Sequence, residues 1–233
     1  MTITVHHRID RPDLALGLVR VEGIEVAPAT TSLQLELDRW IAERKQRQLN
    51  PEEERLRQGS REVLRNGSYR PTGRGKPASE YLMRAAGEGS FPRLNGPVDA
   101  NNLVSLQHCV PISLWDVALA GSDEFEFRLG RAGESYVFNA TGQVLDLADL
   151  VCGCALDGGD SSRPLVTPIK DSLATKLRAD SSRIAGCIYY PVGAGSRPQL
   201  SRITGEFLKW LLSCGARAQG QCELCMPGET VHI

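Results

Sequence analysis

The chain has few side chains that could act as a general base near neutral pH. Its four histidines are His6, His7, His108 and His232, and only His108 lies away from the two ends. The sequence holds no G-x-x-x-x-G-K-[ST] loop, no H-E-x-x-H motif and no G-x-S-x-G turn. We therefore expect no Ser-His-Asp catalysis, and we interpret His108 as a structural residue at a helix end.

Four residues near the C-terminus could bind a metal ion. Cys222 and Cys225 form a C-x-x-C pair, Cys214 precedes them and His232 follows. Thiolate and imidazole groups of this kind can hold zinc in a tetrahedral site. A metal-stabilised interaction domain is thus one interpretation. We favour inert thiols, because a single C-x-x-C in a tail is a weak signal for zinc, and we expect no metal and no cofactor. A redox pair is expected still less, because no strand precedes the motif and no helix follows it.

Basic residues are concentrated in one segment. Residues 55–93 hold nine basic and three acidic side chains. Within them, Arg74 and Lys76 lie in a loop rich in glycine and proline, and Arg93 follows. Together with Lys170, these side chains are predicted to bind a phosphate or a ligand carboxylate. A solvated surface is the alternative interpretation.

Residues 92–134 contain a distinctive series of motifs. The series runs Pro92-Arg93-Leu94-Asn95, Val98-Asp99, Asn102, Pro111, Asp116 and Ala132-Gly133-Glu134. In this order and spacing, the chain resembles the editing domain of the phenylalanyl-tRNA synthetase β subunit, called the B3/4 domain, and most of all its free-standing relatives. The resemblance covers residues 65–192.

The resemblance implies action on an aminoacyl ester. In the synthetase, the domain hydrolyses tyrosine wrongly attached to the phenylalanine tRNA, and such a site works by orienting water and polarising a carbonyl. Asn102 matches an asparagine of the family's pocket, and Asn101 beside it is predicted to contact substrate. An equally weighted alternative is that Asn102 braces the start of its helix. The implied partner is tRNA or aminoacyl-tRNA.

Two family positions are altered in this chain. Ser113 stands where the family has a histidine, and Gly186 stands where it has an editing glutamate. We predict Asn102, Ser113 and Glu134 as catalytic residues. Glu134 and Asp171 are the carboxylates available to position water. The alternative is a non-catalytic module for an amino-acid-like small molecule, which has kept the fold and lost the editing chemistry.

The elements that must position these residues are of two kinds. Helical patterns dominate the first 110 residues, whereas alternating patterns dominate residues 120–195, which predicts an α+β fold. We expect a single B3/4-like domain with a mixed or antiparallel central sheet flanked by helices. Residues 1–64 would form a strand and helix segment packed on the main domain of residues 65–213. Residues 214–233 would form a cysteine-containing tail.

Local signals place several elements. Asn50 followed by Pro51 predicts a helix start with an asparagine cap. Asp99 is predicted to cap the helix that carries Asn102. The strict alternation of Phe125–Leu129 predicts a half-buried strand, and the apolar run Ile184–Tyr190 predicts a buried one.

Charge and hydropathy limit the partners and the location. The formal net charge is −1, but residues 94–160 hold ten acidic and only two basic side chains. Because this segment repels phosphate, RNA would have to approach from the arginine-rich side. There is no run of 18 apolar residues and no signal-peptide pattern, so we expect no membrane association and a cytoplasmic protein.

Overall fold

The computed structural model describes residues 2–158 and 161–233, which form eleven strands and six α-helices. The strands are β1 (Thr4–His7), β2 (Leu14–Glu22), β3 (Ile112–Asp116), β4 (Glu124–Leu129), β5 (Ser135–Val137), β6 (Val144–Asp146), β7 (Val151–Leu156), β8 (Ser162–Val166), β9 (Arg183–Pro191), β10 (Gln219–Cys225) and β11 (Thr230–His232). The helices are α1 (Thr31–Gln46), α2 (Pro51–Glu62), α3 (Ala78–Glu88), α4 (Gly96–His108), α5 (Val117–Ala120) and α6 (Arg197–Leu212). None of the helices in these two ranges is long and apolar enough to cross a membrane.

Two open β-sheets form the frame of the molecule. One has the order β11-β1-β4-β7-β8 and is mixed, because β1 and β4 run in parallel while the other pairs are antiparallel. The other has the order β10-β2-β9-β3 and is antiparallel throughout. A separate hairpin pairs β5 with β6. The α+β class is confirmed, whereas the single central sheet of the prediction is replaced by two sheets.

The four-stranded sheet has a hydrophobic core on each face. Because side chains alternate along a strand, Leu16 and Leu18 of β2 lie in one core with Phe127 of the five-stranded sheet. Their neighbours Ala15 and Val19 lie in the other core, with the apolar faces of α1, α3, α4 and α6. One core is thus between the sheets and the other is under the helices.

Both ends of the chain contribute strands to the two sheets. β1 and β11 are neighbours in the five-stranded sheet, and β2 and β10 are neighbours in the four-stranded sheet. Residues 214–233 are therefore a structural part of the α+β domain. The sequence of β10 did not predict a strand, because β10 lies at a sheet edge and its alternate side chains are polar and exposed.

Asparagine side chains set the starts of two helices. Asn50 caps α2 within a capping box, as predicted. At α4, however, the cap is Asn95, whose side-chain oxygen accepts the Val98 N–H at 3.1 Å. Asp99 lies inside the first turn, where its carboxylate accepts the N–H of Leu94 at 3.0 Å. The prediction of Asp99 as the cap was wrong by one turn.

Candidate functional site

Ser113 lies at the centre of a buried polar cluster between the two sheets. It is in the middle of β3, and its side chain has no exposed surface. Its Oγ lies 2.7 Å from Asp171 Oδ1, 3.0 Å from the carbonyl oxygen of Thr167 and 3.1 Å from Tyr189 Oη. The hydroxyl can donate to one of the two oxygens and accept from Tyr189. Ser113 therefore links β3, β9 and the loop after β8.

Asp171 is held in this cluster by backbone as well as by Ser113. Its carboxylate lies 3.3 Å from the N–H groups of Leu114 and Thr167, which donate to it. Burial raises the pKa of Asp171 to about 6, against the lowering effect of these hydrogen bonds. A carboxyl group with this pKa can exchange a proton near neutral pH.

The β5–β6 hairpin is fastened to the loop that carries Asp171. Tyr136 Oη donates to the carbonyl oxygen of Lys170 at 2.6 Å and lies 3.2 Å from Thr167 Oγ1. Lys170 Nζ lies 4.0 Å from the centre of the Phe138 ring. This distance is typical of a cation–π contact. The hairpin thus forms one wall beside the Ser113–Asp171 pair.

Cationic side chains border the same loop. The Ala78 N–H donates to the carbonyl oxygen of Pro168 at 2.9 Å, which brings the start of α3 against it. Arg74 and Lys76, both exposed, lie immediately before this contact. Burial and the nearby charge of Arg74 lower the pKa of Lys170. Four of the predicted substrate-binding residues therefore lie in one region, and they are Arg74, Lys76, Lys170 and Asp171.

Glu134 lies in a different environment, on the outer side of the five-stranded sheet. Its carboxylate accepts two hydrogen bonds from Arg128, at 2.7 and 2.8 Å, and one from the Arg131 N–H at 2.7 Å. The Arg128 guanidinium holds the pKa of Glu134 below its usual range. Arg128 also donates to Glu126 at 3.1 Å. Glu134 is thus engaged in an ion pair and is not brought to Ser113.

Asn101, Asn102 and Arg93 also lie apart from Ser113. Asn101 Nδ2 donates to Asn102 Oδ1 at 3.3 Å, and α4 packs in the core under the helices rather than between the sheets. In the ranges that the structure describes, no hydrogen bond joins either asparagine to Ser113, and Asn101 Oδ1 is buried without a partner. Arg93 pairs with Asp38 on α1.

Gly186 has no room for a side chain. A Cβ atom placed on it would lie 2.8 Å from Phe207 Cε1 and 3.1 Å from the carbonyl oxygen of Ser113. The Phe207 ring therefore fills the space next to Gly186 on the helix side of β9. A glutamate at this position, as the family resemblance suggests, does not fit the present packing.

The three C-terminal cysteines do not form one metal site. Cys225 lies in the core between the sheets, whereas Cys214 and Cys222 lie with the core under the helices. The four-stranded sheet separates them, so they cannot share one tetrahedral ion. In residues 2–158 and 161–233, no group of three or more His, Cys, Asp or Glu side chains is placed to hold a metal.

Tyr189, Thr167 and Tyr136 are site residues that the sequence did not indicate. Tyr189 lies in the apolar run of β9 and is fully buried. A buried tyrosine usually finds a partner for its hydroxyl group. Its place in an apolar strand was therefore the one signal that a polar cluster lies between the sheets.

Comparisons with known proteins add no family to this description. A scan against models of protein families gave no match, and a search of curated proteins gave none either. The resemblance to the B3/4 domain therefore rests on the motif residues between Pro92 and Glu134.

Proposed function

We propose that the protein binds the aminoacyl end of an aminoacyl-tRNA and hydrolyses its ester bond, as a B3/4-like editing protein would. The observation that carries this proposal is the Ser113–Asp171 pair, with a hydrogen bond of 2.7 Å. Lys170 adjoins Asp171 in the chain, and the charge of Arg74 acts on Lys170. Asp171 can accept and release a proton, whereas Arg74 and Lys170 can attract an anion.

In this proposal, Asp171 is the base that orients and deprotonates the attacking water. Its carboxylate accepts three donors from the protein, which leaves capacity for one more. The water oxygen attacks the ester carbonyl carbon, the bond to the ribose oxygen breaks, and the proton passes to that oxygen. Ser113 is a positioning residue, because its hydroxyl fixes Asp171 rather than touching the substrate.

The basic rim is the part of the surface that receives the tRNA. Arg74 and Lys76 are exposed, and no hydrogen bond or ion pair engages their side chains within the described ranges. Phosphate binding by such cations weakens as salt increases. Replacing both by glutamate should weaken tRNA binding and reduce the slope of log affinity against log salt by about 2. An unchanged slope would contradict the role of this rim.

A second candidate function is the binding of a free amino-acid-like ligand without catalysis. Two observations favour it, since the Ser113 side chain is fully enclosed and Glu134 is engaged by Arg128. In that case Asp171 would pair with the ligand's ammonium group, and Lys170 with its carboxylate.

A deacylation assay tests the two candidates. A panel of mischarged aminoacyl-tRNAs is incubated with the wild-type protein, with Asp171→Asn, and with Asp180→Asn as the control, because Asp180 is exposed. We expect turnover of one species to be lost in Asp171→Asn and kept in the control. The wild-type rate should rise with pH through about 6, as Asp171 loses its proton.

The same variants decide between the candidates when no ester is turned over. Thermal stabilisation by free amino acids that Asp171→Asn removes would support the binding module. Neither turnover nor stabilisation would overturn both. An Asn102→Ala variant checks whether α4 contributes, because Asn102 is still a predicted catalytic residue.

A cytoplasmic location is part of this proposal. All seven cysteines are free thiols, and most are buried. Free thiols of this kind are typical of proteins in a reducing compartment.

A further inference from the structure

The outer edge of β10 is open to another strand. β10 is the last strand of the four-stranded sheet, and in the described ranges it pairs there with β2 alone. It is seven residues long, and its pairing with β2 has no bulge. It holds no lysine and no proline, which often protect such an edge, and Glu223 is its one charged residue. The backbone groups on this edge can therefore receive a further strand.

The direction of the Leu224 N–H shows which residues of β10 face outward. This N–H donates to the carboxylate of the neighbouring Glu223 at 3.0 Å. Backbone groups of successive residues point to alternate sides in an antiparallel pair. Gly220 and Cys222 therefore direct their N–H and carbonyl groups outward, as Leu224 does, while the residues between them face β2.

The hydrogen bonds of β2 agree with this direction. The N–H of Gly23, directly after β2, donates to the carbonyl oxygen of Ser182, directly before β9, at 2.8 Å. By the same alternation, Gly17 of β2 also directs its backbone groups toward β9. Gly17 is the residue opposite Leu224, so Leu224 faces a residue whose backbone groups are turned away from it.

We propose that two copies of the chain associate by pairing their β10 strands antiparallel, with the two Cys222 residues opposite each other. In this register Gly220 of one copy faces Leu224 of the other, and the glycine leaves room for the leucine side chain. Each of these outward-facing pairs exchanges backbone hydrogen bonds. Gln221 faces Glu223 of the other copy, where its amide can donate to the carboxylate.

Charge favours a second copy in the antiparallel orientation. The exposed Arg217 lies just before β10, whereas the exposed Glu223 and Glu229 lie toward its other end. An antiparallel pair places the arginine end of each copy beside the glutamate end of the other. A register shifted by two residues would extend the pairing beyond the ends of β10, to Ala218 or to Met226.

Apolar side chains beside this edge would be covered by the second copy. Cys222 and Leu224 are half-buried on the helix side of the sheet. Leu208 of α6, also half-buried, lies so close that a Cβ atom on Gly220 would be 2.9 Å from its Cδ1. Burying this apolar surface favours association. β3, which carries Ser113, is at the opposite edge of the sheet, so the pairing does not depend on the proposed function.

Sedimentation equilibrium of the full chain over a range of concentrations tests the proposal. We expect a reversible monomer–dimer equilibrium for the wild-type protein. Cys222→Pro removes an outward N–H that β2 does not use, and proline is tolerated at such positions of edge strands. This variant should weaken dimerisation about tenfold, because the central pair loses its hydrogen bonds. Cys222→Ala is the matched control, since it keeps the N–H, and it should dimerise as the wild type does.

A second variant and a cross-link keep the test independent of the folding of Cys222→Pro. Arg217→Glu, at an exposed position, brings like charges together and should weaken the dimer without changing Tm. A short bifunctional thiol reagent should join two wild-type chains through Cys222, the one cysteine that is not buried. A monomer at every concentration, a dimer that Cys222→Pro and Arg217→Glu leave unchanged, or equal cross-linking of Cys222→Ala would overturn the proposal.

Discussion

Asp171 and Glu134 are two carboxylates that the sequence placed in one role, and the fold has given them opposite environments. Among the described residues, Asp171 has backbone and hydroxyl donors and no ion pair, and burial raises its pKa to about 6 although the charge of Lys176 lowers it. Glu134 meets the Arg128 guanidinium in a two-point contact, which lowers its pKa. The comparison shows that the surroundings set the pKa of a carboxyl group. A paired guanidinium lowers the pKa of Glu134, whereas burial without such a pair raises that of Asp171.

The largest effect on stability should come from replacing Arg128, the cation that pairs with Glu134. Arg128 is buried and contacts Glu126 and Glu134, so Arg128→Met leaves two carboxylates without their main partner. We expect the free energy of unfolding to fall by about 3–5 kcal/mol, as for other broken buried pairs. Chemical denaturation measures it.

The control for this substitution is a neighbouring arginine. Arg131 is exposed in the turn after β4, and Arg131→Met should change stability by less than about 0.5 kcal/mol. Equal small effects of both variants would mean that the ion pair contributes nothing, and the contrast with Asp171 would be lost.

The second prediction concerns the pH dependence of stability. Because the pKa of Asp171 is about 6 in the folded protein and lower in the unfolded chain, the folded state binds the proton more tightly. The stabilisation of the folded state by protonated Asp171 is complete below the pKa that this group has in the unfolded chain. It is lost as the pH rises through about 6. Relative to the wild type, Asp171→Asn should therefore gain about 2 kcal/mol between about pH 4 and about pH 6.

Glu134→Gln should change with pH in the opposite direction. The lowered pKa means that the stabilisation by ionised Glu134 is present above its unfolded pKa and is lost as the pH falls through the folded one. Relative to the wild type, this variant should lose stability as the pH rises across that window. Parallel pH profiles for the two variants would contradict the contrast between the two carboxylates.

The smallest effect should come from Ser113→Ala. This substitution removes the hydroxyl between Asp171 and Tyr189, so a buried polar group loses its partner. We expect a loss of about 1–3 kcal/mol. The pKa of Asp171 should also rise further, because the Ser113 hydrogen bond lowers it. Ser135→Ala, at an exposed position of β5, should leave both quantities unchanged.

Local patterns predicted the helices and strands where neighbouring residues decide the structure. The Asn50 cap and the strand over Phe125–Leu129 are of this kind. The prediction that this strand is half-buried was wrong, because Glu126 and Arg128 on its polar face are buried as well. The site is different, because Ser113 and Asp171 are 58 residues apart and meet only through the pairing of strands. Short-range spacing cannot report such a contact. It also could not show that Glu134 faces Arg128 across a turn rather than the space between the sheets.

The close packing around Gly186 has an evolutionary consequence. Gly186→Glu alone would force a charged side chain against the Phe207 ring. Phe207→Ala alone would open a cavity and cost about 3–5 kcal/mol. A lineage that acquired a glutamate here would have to pass through an unstable intermediate or change both residues together. Gly186 and Phe207 are therefore difficult to replace one at a time. Substitutions around Asp171 are the easier route to new chemistry in this protein.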